Sequence, residues 1–363
     1  MRRWDWRRYL KADTALSPAD ITPTWLGKIL GASVVNVAAT PVGTGQVGAT
    51  YRYVPEYAGV RDNAPVSVIG KFPSADPISR ATGIEQFNYY REVNFYRRFA
   101  RKRPLPVPSV YFTALNEENH DFTLIMADFP NHRTGNQLEP STMAEAKLAM
   151  TAAAELHAPW WGDDTLDTLP WLSGSTISPI ITPIGPLYDA LWPAFCARYG
   201  LRVSDTVRAA GYAYLGHVGD WAHNRTGPRC LTHGDFRPDN MLFAPDGVAP
   251  PIIIVDWQTV GVGNGATDIA YFIGTALDPN MRRVEEHALF DIWLEGLRGG
   301  GVGAASTVGL WDIYRRDSFA GFLMGVVASM IVAQTDRGDT MFLTMCERAA
   351  AMMMDHGSID LIG

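Results

Sequence analysis

The sequence predicts an α+β chain of two lobes, an antiparallel sheet plus helix followed by a mainly helical part. Three observations carry this. Between Ser33 and Met126, short β-branched and aromatic runs alternate with glycine-bearing turns. A single stretch with helical spacing, Glu85 to Ala100, interrupts those runs. Beyond Asp128 the spacing is mostly helical, with Met143 to His157 as its clearest segment. We place the boundary after Ala127, giving an N-terminal arm and sheet lobe over residues 1–127 and a helical lobe over 128–363.

Taken in order, Ser17-Pro18-Ala19-Asp20 and Thr22-Pro23 are helix-start signals, and Trp25, Leu26, Ile29 and Leu30 recur at helical spacing until Gly31. A short helical arm is expected there. Val34, Val35 and Val37, then Tyr51 to Val54, then Val66 to Phe72 read as consecutive strands. The helix from Glu85 to Ala100 sets Phe87, Tyr90, Phe95, Tyr96 and Phe99 against Arg91, Arg97 and Arg98. Strands return at Ser109 to Leu115 and at Phe122 to Met126, and a Pro-, Gly- and Trp-rich connection runs from Pro159 to Pro193.

Composition narrows the function classes. The chain of 363 residues is 47% hydrophobic and 11% aromatic, enough to bury a large core. A formal charge of −7 argues against a nucleic-acid partner, which would call for clustered Lys and Arg. The basic start, Arg2, Arg3, Arg7 and Arg8 among Trp4, Trp6 and Tyr9, reads as a solvated helix. Cys196, Cys230 and Cys346 are too few and too widely spaced for a disulfide framework or a cysteine metal site, which points to a reducing, cytoplasmic setting. No secretory leader opens the chain. Phe319 to Ala333 is apolar but shorter than the roughly 20 residues a bilayer core requires, so we read a buried helix and no transmembrane segment.

The glycine cluster Gly43-Thr44-Gly45-Gln46-Val47-Gly48 fits G-x-G-x-x-G, a spacing common to dinucleotide turns and to phosphate-covering hairpins. A dinucleotide turn opens a helix. Here Ala49 to Val54 alternates like a strand, and although Asp62 falls near the distance of a ribose acid, Pro55 and Gly59 interrupt any crossover helix. We favour a hairpin whose small residues let backbone N–H groups approach phosphate oxygens. Lys71, at the end of the Val66–Gly70 run, would set an ammonium beside those phosphates. Such a lysine needs a helical glutamate. Glu85 and Glu92 stand one heptad apart, and Glu92 is preferred.

The sharpest signal is Leu231-Thr232-His233-Gly234-Asp235-Phe236-Arg237-Pro238-Asp239-Asn240, with Ile252 to Val255 leading into Asp256-Trp257-Gln258. Phosphoryl transfer needs one carboxylate to orient and deprotonate the attacking hydroxyl, and oxygen ligands to hold metal ions against the phosphates. Asp235, Asn240 and Asp256 supply one base and two metal ligands.

These words together resemble the aminoglycoside phosphotransferase and choline kinase superfamily, and within it the ecdysteroid-kinase-like phosphotransferases. Pro41 to Gln46, Lys71-Phe72-Pro73-Ser74, Glu92 to Tyr96, Leu156-His157-Ala158, the loop from His233 to Asn240, and Asp256-Trp257-Gln258 carry the resemblance. It implies a bilobal protein-kinase-like fold and transfer of the γ-phosphoryl of ATP to a hydroxyl of a small molecule. Asp235 would be the base, Asn240 and Asp256 would bind magnesium, and Lys71, supported by Glu92, would contact the α- and β-phosphates beneath the loop Gly43 to Gly48. Backbone groups of Met126, Ala127, Asp128 and Phe129 would hold adenine. Gly234 departs from protein kinases, which carry arginine there, and Arg237 is expected to neutralise transition-state charge. The resemblance also implies that Asp268 braces the catalytic loop. His157 reads as a core histidine.

The acceptor is open at this stage. Asp163, Asp164 and Asp167 would suit a polycationic aminoglycoside, whereas Trp160, Trp161, Trp171, Trp192 and Trp221 would suit a steroid-like alcohol or a quaternary amino alcohol. A nucleotide-binding pseudokinase with a regulatory role is the alternative, and it sits poorly with the presence of Lys71, Asp235, Asn240 and Asp256. NAD-dependent redox chemistry would rest on the glycine cluster alone.

Overall fold

The computed structural model describes residues 16–43, 47–59, 64–101, 105–172 and 184–362, and the basic start and Asp62 lie outside them. The chain forms two compact units. One runs to His132 and takes back Val255–Thr259, and the other comprises Arg133–Ile254 and the chain from Val260 onward.

The first unit begins with α1 (Pro23–Leu30), where Thr22 accepts the Trp25 amide, Pro23 opens the first turn and Gly31 ends the helix at φ 65°. Then come β1 (Val34–Pro41), β2 (Gly48–Tyr57), β3 (Val68–Pro73), α2 (Pro77–Glu85), α3 (Asn88–Arg98), β4 (Val110–Leu115) and β5 (Phe122–Ala127). The strands form one sheet in the order β1-β2-β3-β5-β4, each neighbouring pair antiparallel. The glycine cluster therefore joins two hairpin partners. With Pro41 opposite Tyr51 there is no crossover helix, so the dinucleotide turn and the redox reading built on it fall away. One face of the sheet closes over Leu26, Ile29, Tyr53, Val68, Phe72, Phe112 and Ile125.

Two expectations change here. The single helix from Glu85 to Ala100 is broken, because Phe87 sits in the left-handed region at φ 58°. Its ring packs on His120, 5.0 Å between centroids, which draws the residue off the helical path. The helix ahead of the break, α2, was legible in Asp76-Pro77, since Asp76 accepts the Ser79 amide. The boundary also moves. Asp128 is held by a two-point ion pair from Arg52 and by the Ser67 hydroxyl, and the first unit runs on to His132.

The second unit contains β6 (Arg133–Thr134), α4 (Met143–His157), α5 (Ile184–Tyr199), α6 (Asp205–Ala213), α7 (Val218–His223), β7 (Cys230–Thr232), β8 (Met241–Phe243), β9 (Ile252–Ile254), β10 (Gly261–Gly263), α8 (Gly265–Ala276), α9 (Pro279–Gly299), α10 (Leu310–Arg316), α11 (Phe319–Ile331) and α12 (Asp336–His356). Helix α4 lies where its spacing predicts, closed by a capping box between Thr142 and Glu145. The irregular connection is shorter than expected, because Pro193 stands inside α5. The apolar run from Phe319 is the buried helix α11. Among the described residues no helix is long and apolar enough to cross a membrane. Two small sheets, β6-β8-β9 and β10-β7, present the loops that carry the acids.

Charge is also buried far from those loops. Glu286 of α9 accepts from Arg282 at 2.8 Å and from Tyr314, and lies 3.1 Å from the His356 ring nitrogen. Burial would raise its pKa, but the His356 hydrogen bond and the Arg282 charge outweigh burial and hold the carboxyl below its ordinary value. Its stabilising contribution is thus present above the unfolded value of about 4.3 and is lost as pH falls through the folded value. Denaturant titrations should find Glu286→Gln most destabilised near neutrality, with its deficit from wild type shrinking below about pH 4.3.

Candidate active site

The first unit gathers one lysine and two carboxylates from distant parts of the chain. Strand β3 alternates, with Val68, Gly70 and Phe72 buried and Ile69, Lys71 and Pro73 on the other, half-buried face. Lys71 Nζ reaches Glu92 Oε1 at 2.6 Å and Asp256 Oδ1 at 3.1 Å. Glu92 therefore takes the lysine. Its side chain is fully buried, whereas that of Asp256 is 40% exposed. Desolvation works against the Lys71 ammonium, but the charges of Asp256 and Glu92 outweigh it and hold its pKa above the ordinary value.

Asp256 is placed by its neighbours. Trp257 stacks on Phe95 of α3 with 3.7 Å between centroids and 4° between planes. Asn88 donates to the Gln258 carbonyl, and Gln258 Nε2 approaches Glu92 Oε2 at 3.4 Å. Phe95 lies one helical turn after Glu92, so one face of α3 holds both the lysine and the segment that carries Asp256. Asp256 itself sits at φ 65°. For a residue with a Cβ that conformation costs about 1–2 kcal/mol, and this packing maintains it.

The glycine cluster is partly in view. Gly43 lies at φ 75°, the Val47 carbonyl accepts from the Tyr89 hydroxyl, and Gly48 opens β2 with its Cα hydrogen toward the Phe72 carbonyl. Thr44, Gly45 and Gln46 lie outside the described residues. Of the four residues expected to meet adenine, Met126 is buried in β5 and the Ala127 amide already donates to Ser109. The Asp128 carboxylate is committed to Arg52 and Ser67, and the Phe129 carbonyl accepts from the His132 amide.

In the second unit the loop after β7 is organised from α8. Asp268 accepts the His233 amide at 2.7 Å and the Gly234 amide at 3.0 Å, and it lies 3.2 Å from His157 Nε2. Trp293 Nε1 can only donate, and it meets His157 Nδ1 at 3.0 Å. The neutral imidazole therefore carries its proton on Nε2 and gives it to Asp268. Gly265, the first residue of α8, makes this approach possible, since a Cβ there would lie 2.6 Å from His157 Nδ1. Gly234 sits at φ 81°, a left-handed conformation that glycine adopts without steric cost.

That brace aims Asp235. Its Oδ1 accepts from the Tyr271 hydroxyl at 2.8 Å, its Oδ2 from Asn240 Nδ2 at 2.8 Å, and Arg237 Nε straddles both oxygens at 3.1 Å. Burial favours the neutral acid. The Arg237 charge and the Tyr271 hydrogen bond more than offset it, so Asp235 stays below the ordinary carboxylate value. Arg237 also binds Asp239 at 2.9 Å, and Asp239 accepts the Gln137 amide. Sequence reading singled out neither Tyr271 nor Asp239. Tyr271 could have been found, because it lies three residues after Asp268 and so on the same face of α8.

The acceptor candidates are drawn largely inward. Trp160, Trp171, Trp192 and Trp221 are buried, and Asp167 is ion-paired with Arg229. Among the described residues no three His, Cys, Asp or Glu side chains form a metal-binding group. Removing the Asp268 carboxylate strands two backbone donors at about 1–3 kcal/mol each, so Asp268→Ala should lower unfolding free energy by several kcal/mol in a denaturant titration.

Residues 83–299 match the model of the Phosphotransferase enzyme family, well over half of the chain. No curated protein matches by sequence. Among solved structures, a microcompartment-associated aminopropanol kinase is 16% identical, with 94% of this chain and 99% of that one covered and a TM-score of 0.53. An ethanolamine kinase of Plasmodium vivax is 10% identical, with 88% and 84% covered and a TM-score of 0.51. At such identities the likeness is one of fold. Because the family match takes in α3, the braced loop and Asp256 alike, the chain belongs to the phosphotransferase enzyme family, in the aminoglycoside phosphotransferase and choline kinase superfamily.

Proposed function

We propose that this phosphotransferase is an ATP- and magnesium-dependent kinase that phosphorylates a hydroxyl of a small molecule in the cytoplasm. The observation that carries the reading is Lys71, bridged between Glu92 and Asp256. A lysine of raised pKa, fixed on a rigid strand and half-buried, suits a polyphosphate. The motif words favour the ecdysteroid-kinase-like branch.

The residues fit a magnesium nucleotide. Lys71 and Glu92 neutralise each other, so the charge of Asp256 is left over, and only its Oδ1 has a protein partner among the described residues. Asn240 turns its amide nitrogen to Asp235, which leaves its amide oxygen as a second hard donor. Asp256 and Asn240 would hold the ion, which offsets charge on the phosphate oxygens. Lys71 would meet the α- and β-phosphates beneath the loop Gly43 to Gly48. Backbone groups of Met126 to Phe129 other than the Ala127 amide would hold the base.

Asp235 then orients the acceptor hydroxyl and takes its proton as the acceptor oxygen bonds to the γ-phosphorus and the bond to the departing ADP oxygen breaks. A carboxylate of low pKa is a weak base. That suits a loose transition state, in which positioning matters more than early proton removal. Of the donors on Asp235, Arg237 makes the longest contacts, and it keeps a second anchor on Asp239. It is therefore the group that yields to the acceptor hydroxyl, leaving its guanidinium to neutralise developing charge.

Asp235→Asn should lower kcat by roughly 10²–10⁴-fold while calorimetry finds magnesium-ATP binding within about twofold of wild type. The substrate for that assay comes from a screen of aminoglycosides, sterols, macrolides and amino alcohols, read as ADP release above a no-acceptor control. Undiminished turnover in the variant would sink the assignment.

A further inference from the structure

We propose that Tyr271 is a positioning residue for phosphoryl transfer: together with Asn240 it fixes the plane of the Asp235 carboxylate before the acceptor arrives. The inference rests on the reading of Asp235 as the base.

An aspartate is poorly defined about its last torsion, because rotation of a carboxylate about a bond to a tetrahedral carbon has broad minima. Asp235 is pinned there by one short donor on each oxygen, Tyr271 on Oδ1 and Asn240 on Oδ2, both at 2.8 Å. The two donors come from different elements, helix α8 and the loop itself, so turning the carboxylate breaks one bond or the other. Against an ionised carboxylate a phenol can only donate. Its hydrogen bond therefore holds the charged form and, by its direction, the orientation.

Tyr271 is itself held by packing. Its ring is 3% exposed and packs with Met341, Phe342 and Met345. Gly321 of α11 admits it, since a Cβ there would lie 3.0 Å from the ring. One turn earlier on the same helix, Asp268 holds the His233 and Gly234 amides. A single face of α8 thus fixes the loop twice, by its backbone through Asp268 and by its reacting side chain through Tyr271. Charge balance does not call for the second contact, because Arg237 already supplies the counter-charge. Orientation does.

The test compares the full-length protein with Phe, 4-aminophenylalanine or O-methyltyrosine at position 271, using ADP release from magnesium-ATP, with water or a screened alcohol as acceptor. Tyr271→Phe keeps the packing and loses the donor. Its kcat should fall roughly 10- to 100-fold, as expected of a misaimed reacting group, with the KM for ATP within about twofold and the melting temperature nearly unchanged. 4-Aminophenylalanine keeps a para donor and should recover most of kcat, while O-methyltyrosine should not. Wild-type kcat in Tyr271→Phe, or equal loss with and without the para donor, would overturn the proposal while leaving the kinase reading intact. Wild-type protein that releases no ADP under any acceptor would instead fail the kinase reading, and this inference with it.

Discussion

A carboxylate with no solvent contact cannot stay ionised unless a cation meets it, and Glu92 is such a carboxylate. Much of the first unit follows from that demand. The cation must come from a rigid element, and Lys71 on a strand paired on both sides provides it. The helix that carries Glu92 must be held at a fixed height over the sheet, and the aromatic stack of Phe95 and Trp257 helps to hold it. That stack also returns residues 255–259 to the unit and leaves Asp256 with one oxygen that has no protein partner among the described residues. Two ion pairs of one lysine thus tie together a strand, a helix and a segment 185 residues from that lysine in sequence.

The second unit solves a different problem by the same economy of contacts. A sharp loop leaves backbone amides without strand partners, and a buried carboxylate, Asp268, takes two of them. Its own position is secured by His157, whose tautomer is set by the indole of Trp293. Asp235 is thus reached from α8 twice, directly by the Tyr271 hydroxyl and indirectly through the loop amides that Asp268 holds. Burial in the unit works against its charge, and Arg237 and Tyr271 outweigh burial and hold it below the ordinary carboxylate value.

The parts of this arrangement that were legible in the sequence are those where a local pattern sets a residue's place in a strand or loop. Lys71, Asp235, Asn240 and Asp256 stand at strand ends and in a spaced loop, and the strands themselves alternate clearly. Glu92 was separable from Glu85 only by preference, because a heptad spacing puts both on one helical face. The break at Phe87 removed that ambiguity by ending α2 at Glu85, and it depends on a contact with His120 that no local pattern announces. Tyr271 was hidden for a related reason. A tyrosine on an apolar helix reads as core, and its ring is core; only the hydroxyl has other work. The tryptophans could be read from sequence as packing or as a binding slot, and the burial of Trp160, Trp171, Trp192 and Trp221 makes these four packing.

The fit of Gly265 beneath the His157 ring bears on how the sequence can drift. A methyl group at 265 would need the space the imidazole fills, and an imidazole at 157 needs the hydrogen at 265. Neither position can vary alone without displacing the other. Homologues that replace the histidine with a smaller side chain should be the ones in which position 265 is released from glycine, so the pair should covary although 108 positions separate them.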